Sequence, residues 1–211
     1  MWDYNCFTHL LSYIKTGMTE KQIALEIEMY FKTHGADGVS FEPIVAIGEN
    51  SSIPHWIPGN RKVEMADPIL IDMGCKYEGY CSDMTRTIFM GCILEEIKPV
   101  YDLTLKNLEL STKEITDGYT IKTAANMVES DFKVNGYNLI HALGHGVGLE
   151  VHELPFIRLK NEANFKENMV IADEPGIYLP GKYGIRIEDT LLVTKDGSER
   201  LTKSERGYVV I

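Results

Sequence analysis

The sequence predicts an α+β fold made of two pseudo-symmetric halves, each a helix followed by antiparallel strands, in a single domain over residues 1–211. Three observations carry this expectation. A helical pattern, GMTEKQIALEIEMYFKTHG at Gly17–Gly35, returns about a hundred residues later as GYTIKTAANMVESDFKVNG at Gly118–Gly136. After each copy comes β-like sequence and then an apolar strand–turn–strand segment, Pro68–Gly91 in the first half and Met169–Thr194 in the second. No Pro/Ser/Gly-rich linker, low-complexity tract or charge block separates the halves.

Each element has a local cause. In the first repeat Thr19 is the expected N-cap, and Gln22 three residues on completes a capping box. Ile23, Ile27, Tyr30 and Phe31 follow at helical spacing, and Gly35 is the stop. In the second repeat Thr120 is the expected cap, Ala124, Met127, Val128 and Phe132 form the stripe, and Gly136 ends it. A third helix is expected from about Glu95 to Ile115, with Val100, Leu103, Leu108 and Ile115 among its apolar positions. VSFEPIVAIG and NLIHALGHGVG supply the strand-like sequence after the repeats.

The strand–turn–strand segments carry acids on apolar strands. In PILIDMGCKYEGYCSDMTRTIFMG, a turn centred between Tyr77 and Glu78 sets Asp72 opposite Asp83, on the face that also holds Thr85, Thr87 and Phe89. In MVIADEPGIYLPGKYGIRIEDTLLV, pairing about Gly181 sets Glu174 opposite Glu188. Facing carboxylates on a buried surface are unfavourable unless a cation lies between them.

Histidines supply the nitrogen donors for such a cation. His9 and His34 fall on the N-terminal helices and read as ordinary. HALGHGVGLEVHELP places His141, His145 and His152 beside glycines that allow close backbone approach. His141 and His145 share strand parity whereas His145 and His152 do not, so the chain must bend between them. There is no H-E-x-x-H, which argues against a single-zinc protease site. Oxygen-rich ligation with an imidazole suits Mn²⁺, Co²⁺, Fe²⁺ or Zn²⁺ in a paired site. Two ions ~3.5–4 Å apart would activate a shared water and polarise a carbonyl or phosphoryl group. The residues alone therefore point to a two-metal hydrolase of unspecified substrate.

Composition narrows the partners. The formal charge is −10, from 31 acidic against 21 basic residues, which repels nucleic acid and anionic lipid. No apolar run approaches the ~20 residues of a membrane span, and the basic-then-apolar layout of a signal peptide is missing. A cytoplasmic location is the expectation. Cys6, Cys75, Cys81 and Cys92 have no metal-finger spacing and are expected as free thiols.

The blocks IDMGCKYEGYCSDMTRT, HALGHGVGLEVHELP and EPGIYLPGKYGIRIEDT occur in that order after GMTEKQIALEIE and VSFEPIVAIGENSSIPH. Through nearly the whole chain they resemble the pita-bread-fold metallopeptidases, specifically the Xaa-Pro aminopeptidase and Xaa-Pro dipeptidase (prolidase) branch. The resemblance implies two metal ions, manganese foremost with cobalt, zinc or iron as alternatives, held by Asp72, Asp83, His145, Glu174 and Glu188. In the family pattern Asp72 chelates one ion, Asp83 and Glu188 bridge, and His145 and Glu174 complete the other ion's shell. It further implies a proton-shuttling role for Glu174, an oxyanion-stabilising role for His152 and a substrate contact beyond the scissile bond for His55. His141 resembles a residue lining the proline-side pocket, and Arg186 resembles the arginine that orients the ligands beside it. The implied partner is a peptide with proline at its second position.

Related branches differ at particular residues. Methionine aminopeptidases share the ligand set but place the last glutamate in Q-x-E-H-T, whereas this chain has RIEDT and opens the preceding glutamate's block as EPGIYLPG. Inert peptide-binding relatives usually lose ligands, and all five are present here. Two departures stand out. Ala172-Asp173 replaces the usual Thr-then-apolar pair before the metal-binding glutamate, with Asp173 pointing away from the metals by parity. The N-terminal, creatinase-like domain of full-length members, which often shapes a homodimer, is absent from these 211 residues.

Overall fold

Helix α1 (Trp2–Tyr13) precedes α2 (Glu20–Thr33), whose start is chemically closed on itself. Thr19 Oγ1 accepts from the Gln22 amide at 3.2 Å while Gln22 Oε1 accepts from the Thr19 amide at 2.8 Å. Such a cap is worth about 1 kcal/mol. At the other end His34 is the C-cap, and Gly35 takes the left-handed φ of +100° that stops the helix.

The computed structural model describes residues 2–211. After α2 come β1 (Gly38–Val39), β2 (Ile44–Ile47), a 3₁₀ turn at Gly48–Ser52, β3 (Pro68–Met73), β4 (Cys75–Tyr77), β5 (Tyr80–Cys81) and β6 (Met84–Phe89). The second half contributes α3 (Lys98–Glu114), α4 (Ile121–Val134), β7 (Gly144–Gly146), β8 (Glu153–Ile157), β9 (Val170–Asp173), β10 (Gly176–Leu179), β11 (Tyr183–Arg186), β12 (Asp189–Thr194) and β13 (Gly197–Arg200).

The expected pseudo-symmetry is visible in strand order. The first half forms the antiparallel set β2-β3-β6, and the second contains β7-β9-β12 in the same relation, extended by β8 and β13 at its edges. Small hairpins sit at equivalent places, β4–β5 between β3 and β6, and β10–β11 between β9 and β12. Each half has its own core. Cys6, Phe7, Ile23, Ile27 and Phe31 pack on Val45, Ile69, Ile71 and Ile88, while Val100, Leu108, Val128 and Phe132 pack on Ile171, Ile185, Ile187 and Leu191.

Between the cores runs a seam. Thr85 O accepts from the Glu188 amide at 3.0 Å, Thr87 Oγ1 donates to Arg186 O at 3.1 Å, and Thr190 Oγ1 donates to Asp83 O at 2.8 Å. The C-terminal tail crosses back over the first half, where Phe89 N donates to Val209 O at 2.9 Å and Gly91 N to Ile211 O at 2.7 Å. Among the described residues the four cysteines are free, and no helix is long and apolar enough to cross a membrane.

Three details differ from the sequence expectation. Asp72 pairs with Thr85, not Asp83, because the turn is Glu78-Gly79, with φ of +50° and +85°, one residue later than expected. Two left-handed residues are what a tight hairpin turn demands, and they leave Asp83 diagonal to Asp72 on the same face. Thr120 stands at the N-cap but caps nothing with its side chain. Its hydroxyl pairs with Asn164 Oδ1 at 3.1 Å, since Thr123 replaces the reciprocating Gln of the first repeat. The third helix starts at Lys98, not Glu95, with Pro99 in its first turn, where a missing N–H matters least.

Candidate metal centre and active site

The nine residues singled out by sequence, His55, Asp72, Asp83, His141, His145, His152, Glu174, Arg186 and Glu188, all line one cavity of about 520 Å³ at the seam. The carboxylates come in pairs related by the pseudo-symmetry. Asp72 lies near the end of β3 and Glu174 just after β9; Asp83 stands just before β6 and Glu188 just before β12. The ladders on both sides of Glu174 and Glu188, Asp173 with Asp189 and Gly176 with Arg186, keep the register in which the two glutamates face each other.

His145 is arranged as a candidate cation ligand. Its Nδ1 lies 3.0 Å from Gly146 O, and a carbonyl only accepts, so Nδ1 carries the proton. Its Nε2 lone pair then faces Asp83 Oδ2 at 3.5 Å and Glu174 Oε1 at 3.7 Å. Burial lowers the pKa of His145, which holds the ring neutral. A lone pair against two carboxylate oxygens is repulsive until a positive ion sits among them, and a backbone carbonyl on the far nitrogen is the usual way to orient such a ligand. Donor atoms of Asp83, His145 and Glu188 lie within 4.8 Å of one another, all three buried. Asp72 Oδ1 is buried with no hydrogen-bond partner among the described residues. Oxygen donors with one imidazole fit a hard or borderline divalent cation.

Without an ion the carboxylates cannot all stay charged. Burial first, and then the neighbouring carboxylates, push Asp83 and Glu188 well above the usual carboxyl range. Glu174 is pushed up to about 8, chiefly by burial. Arg186 relieves part of the crowding. Its Nη2 donates to Asp72 Oδ2 at 2.6 Å and its Nε to Thr85 Oγ1 at 3.1 Å, and Thr85 passes the contact on to Glu188 Oε2 at 2.6 Å. Although burial opposes its charge, Tyr178, Asp72, Glu174 and Glu188 keep the guanidinium firmly protonated.

The histidines around the cage are held differently. His141 Nδ1 donates to Ala142 O at 2.7 Å, so Nε2 accepts from the Tyr178 hydroxyl at 2.9 Å, and Tyr178 in turn accepts from Arg186 Nη1 at 2.8 Å. Burial and the nearby Arg186 lower His141 to about 4, so it stays neutral. The His152 ring meets His145 edge-on with centroids 4.3 Å apart. The expected bend is present, as the β7–β8 register shifts at His145/Gly146. His55 is exposed, in a loop that anchors to the cage where Pro54 O accepts from Arg186 Nη1 at 3.2 Å.

Sequence reasoning did not single out Thr85 or Tyr178 as contacts, nor Phe41, Ile44 and Phe156, which add apolar wall to the cavity. Asp173 points away from the cage, as parity requires, and is fully buried with its Oδ2 accepting from Ser111 Oγ at 2.6 Å. That burial pushes it up to about 8.

The chain is 40% identical over 195 residues to a Xaa-Pro dipeptidase of Pyrococcus furiosus, covering 92% of this chain and 56% of that protein. An uncharacterized peptidase of Bacillus subtilis is 36% identical over 209 residues, covering 98% of this chain and 59% of the relative. The crystal structure of an X-Pro aminopeptidase from Thermotoga maritima superposes with a TM-score of 0.95 at 40% identity, over 98% of this chain and 59% of that one. The chain thus spans under three-fifths of the length of these relatives. Residues 2–195 match metallopeptidase family M24, and with the pita-bread fold in place the chain belongs to that family.

Proposed function

We propose that the chain is the catalytic unit of a two-metal exopeptidase that removes an N-terminal residue preceding proline. The observation that carries this reading is the His145 Nε2 lone pair aimed at carboxylates from both halves, in a cavity with apolar walls. The Xaa-Pro dipeptidase and X-Pro aminopeptidase relatives support the specificity.

In this proposal Asp72, Asp83, His145, Glu174 and Glu188 hold two divalent ions, manganese first among the candidates. The ions would supply Lewis acidity, lowering the pKa of a shared water and polarising the scissile carbonyl. The chain's own residues do the rest. Glu174 takes the proton released when the water oxygen attacks the carbonyl carbon, and delivers it to the proline nitrogen as the C–N bond breaks. His152, an exposed residue of the cavity lining, donates to the oxygen on which charge develops. His55 contacts the peptide beyond the scissile bond, while neutral His141 with Phe41 and Phe156 offers an apolar wall to the pyrrolidine ring. Arg186 fixes Asp72 directly and Glu188 through Thr85.

Protein loaded with Mn²⁺ or Co²⁺ should release the first residue of X-Pro peptides and leave Met-Ala peptides intact. No turnover with either metal, at a measured two ions per chain, would refute the proposal. Peptide binding by calorimetry without product would instead mark an inert binding module, and faster cleavage of Met-Ala a methionine-aminopeptidase type. Asp83→Ala should abolish both ion pairing and turnover; an active variant removes Asp83 from the ligand set.

A further inference from the structure

Glu20 is fully buried at the first turn of α2, outside the cavity lining, and its carboxylate accepts four hydrogen bonds. Oε1 takes the Ile47 amide at 2.9 Å and Asn50 Nδ2 at 2.8 Å. Oε2 takes Trp56 Nε1 at 2.9 Å and the Gly59 amide at 2.7 Å. A first-turn acid needs no such company to favour a helix; an exposed side chain there already interacts with the helix dipole. Every donor here lies instead on the segment 47–59, which runs from the end of β2 through the loop carrying His55.

That loop has no regular structure from Ile53 to Gly59, and His55 itself is exposed. Its position is therefore set by its neighbours. On one side Pro54 O is tied to Arg186 at 3.2 Å, and on the other the Trp56 indole is tied to Glu20 at 2.9 Å. The Trp56 ring also packs beside Ile44 against Ala46, Leu70 and Tyr178. Gly59 lies so close that an added Cβ would stand 3.2 Å from Glu20 Oε2. Two anchors flank one imidazole, one at the metal cage and one in the helix start.

We infer that Glu20 is a positioning residue which, through Trp56, holds His55 at the substrate. The inference rests on the proposed substrate contact of His55. Charge-assisted bonds to a buried carboxylate are strong and directional, and a displacement of about 1 Å of a positioned group can reduce a rate ~100-fold.

Trp56→Phe is the cleanest test, because it keeps an aromatic ring in place and three of the four bonds to Glu20 while cutting the bond beside His55. It should lower kcat/KM on an X-Pro peptide about tenfold, with the loss divided between kcat and KM as in His55→Ala. Two ions per chain should be retained, and amide exchange over residues 53–59 should quicken. In a His55→Ala background the Trp56→Phe change should then have no further effect, since both act through one side chain. Glu20→Gln, which turns an amide N–H₂ toward two of the donors, should show the same pattern with a larger loss if it folds. Losses that multiply in the double variant, or a silent Trp56→Phe beside a damaging His55→Ala, would overturn the inference. A silent His55→Ala, measured alone, would show that the substrate contact itself fails and would take this inference with it.

Discussion

Stripping the cage of metal should make stability fall with rising pH, and reloading it should remove that slope. In the metal-free protein Glu174 is pushed up to about 8. A carboxyl raised in the folded state keeps a proton that the unfolded chain has already lost above its ordinary 4.5. Unfolding then releases protons, so the contribution is full at low pH and is lost as pH climbs toward about 8. One such group shifts stability by about 1.4 kcal/mol per pH unit while it stays protonated, so from pH 6.5 to 7.5 Glu174 removes roughly 1 kcal/mol. For a domain of this size that is ~2–4 °C in Tm, and Asp83 and Glu188 act in the same direction. The window lies above the range where His145, with its lowered pKa, would give the opposite slope. Asp173, pushed up to about 8 chiefly by burial and hydrogen-bonded to Ser111, adds a slope of the same sign, so the quantity to read is the difference between the two curves. Calorimetric Tm in chelator and in saturating Mn²⁺ measures it directly. Parallel lines for the two forms would refute the reasoning.

Two further outcomes follow from packing. Arg86 is 1% exposed and donates to Thr85 O, Glu188 O, Asp189 Oδ1, Ser204 O and Glu205 O, so Arg86→Met should destabilise by about 3–5 kcal/mol in urea; a change within the usual surface range would contradict its role as the staple of the seam. A Cβ at Gly144 would stand 1.9 Å from Ala172 O. Gly144→Ala should therefore cost about 1–3 kcal/mol and, by pushing β7 off β9, weaken ion binding at His145, as metal titration and Tm will report.

That the acids of each hairpin share one face, and that Glu174 stands opposite Glu188, was legible because strand alternation and turn glycines act locally. The second hairpin's register follows from Gly181 at φ +69°, where the sequence offers the residue such a turn wants. The first hairpin slipped because Glu78 takes a left-handed conformation that no side-chain preference announces. Thr19 and Thr120 sit in matching motifs, yet only the first caps, since the partner three residues on decides it. Tyr178 and Thr85 are an aromatic and a hydroxyl inside apolar strands, and only the meeting of the two halves makes them contacts of Arg186. Glu20 reads as an ordinary first-turn acid until the loop of residues 47–59 folds back over it.

The division of the proposed donors between the halves has a consequence for how tightly an ion would be held. Asp72 and Asp83 come from the first half, and His145, Glu174 and Glu188 from the second. The two sets are joined through one covalent connection, running from the end of β6 at Phe89 to the start of α3 at Lys98. Ion affinity therefore contains the effective concentration that this tether imposes on two partial chelators, on the order of millimolar for a short link. Cutting the chain there would leave the halves joined by non-covalent contacts, among them the seam and the tail at Val209–Ile211. Ion binding would then become dependent on protein concentration.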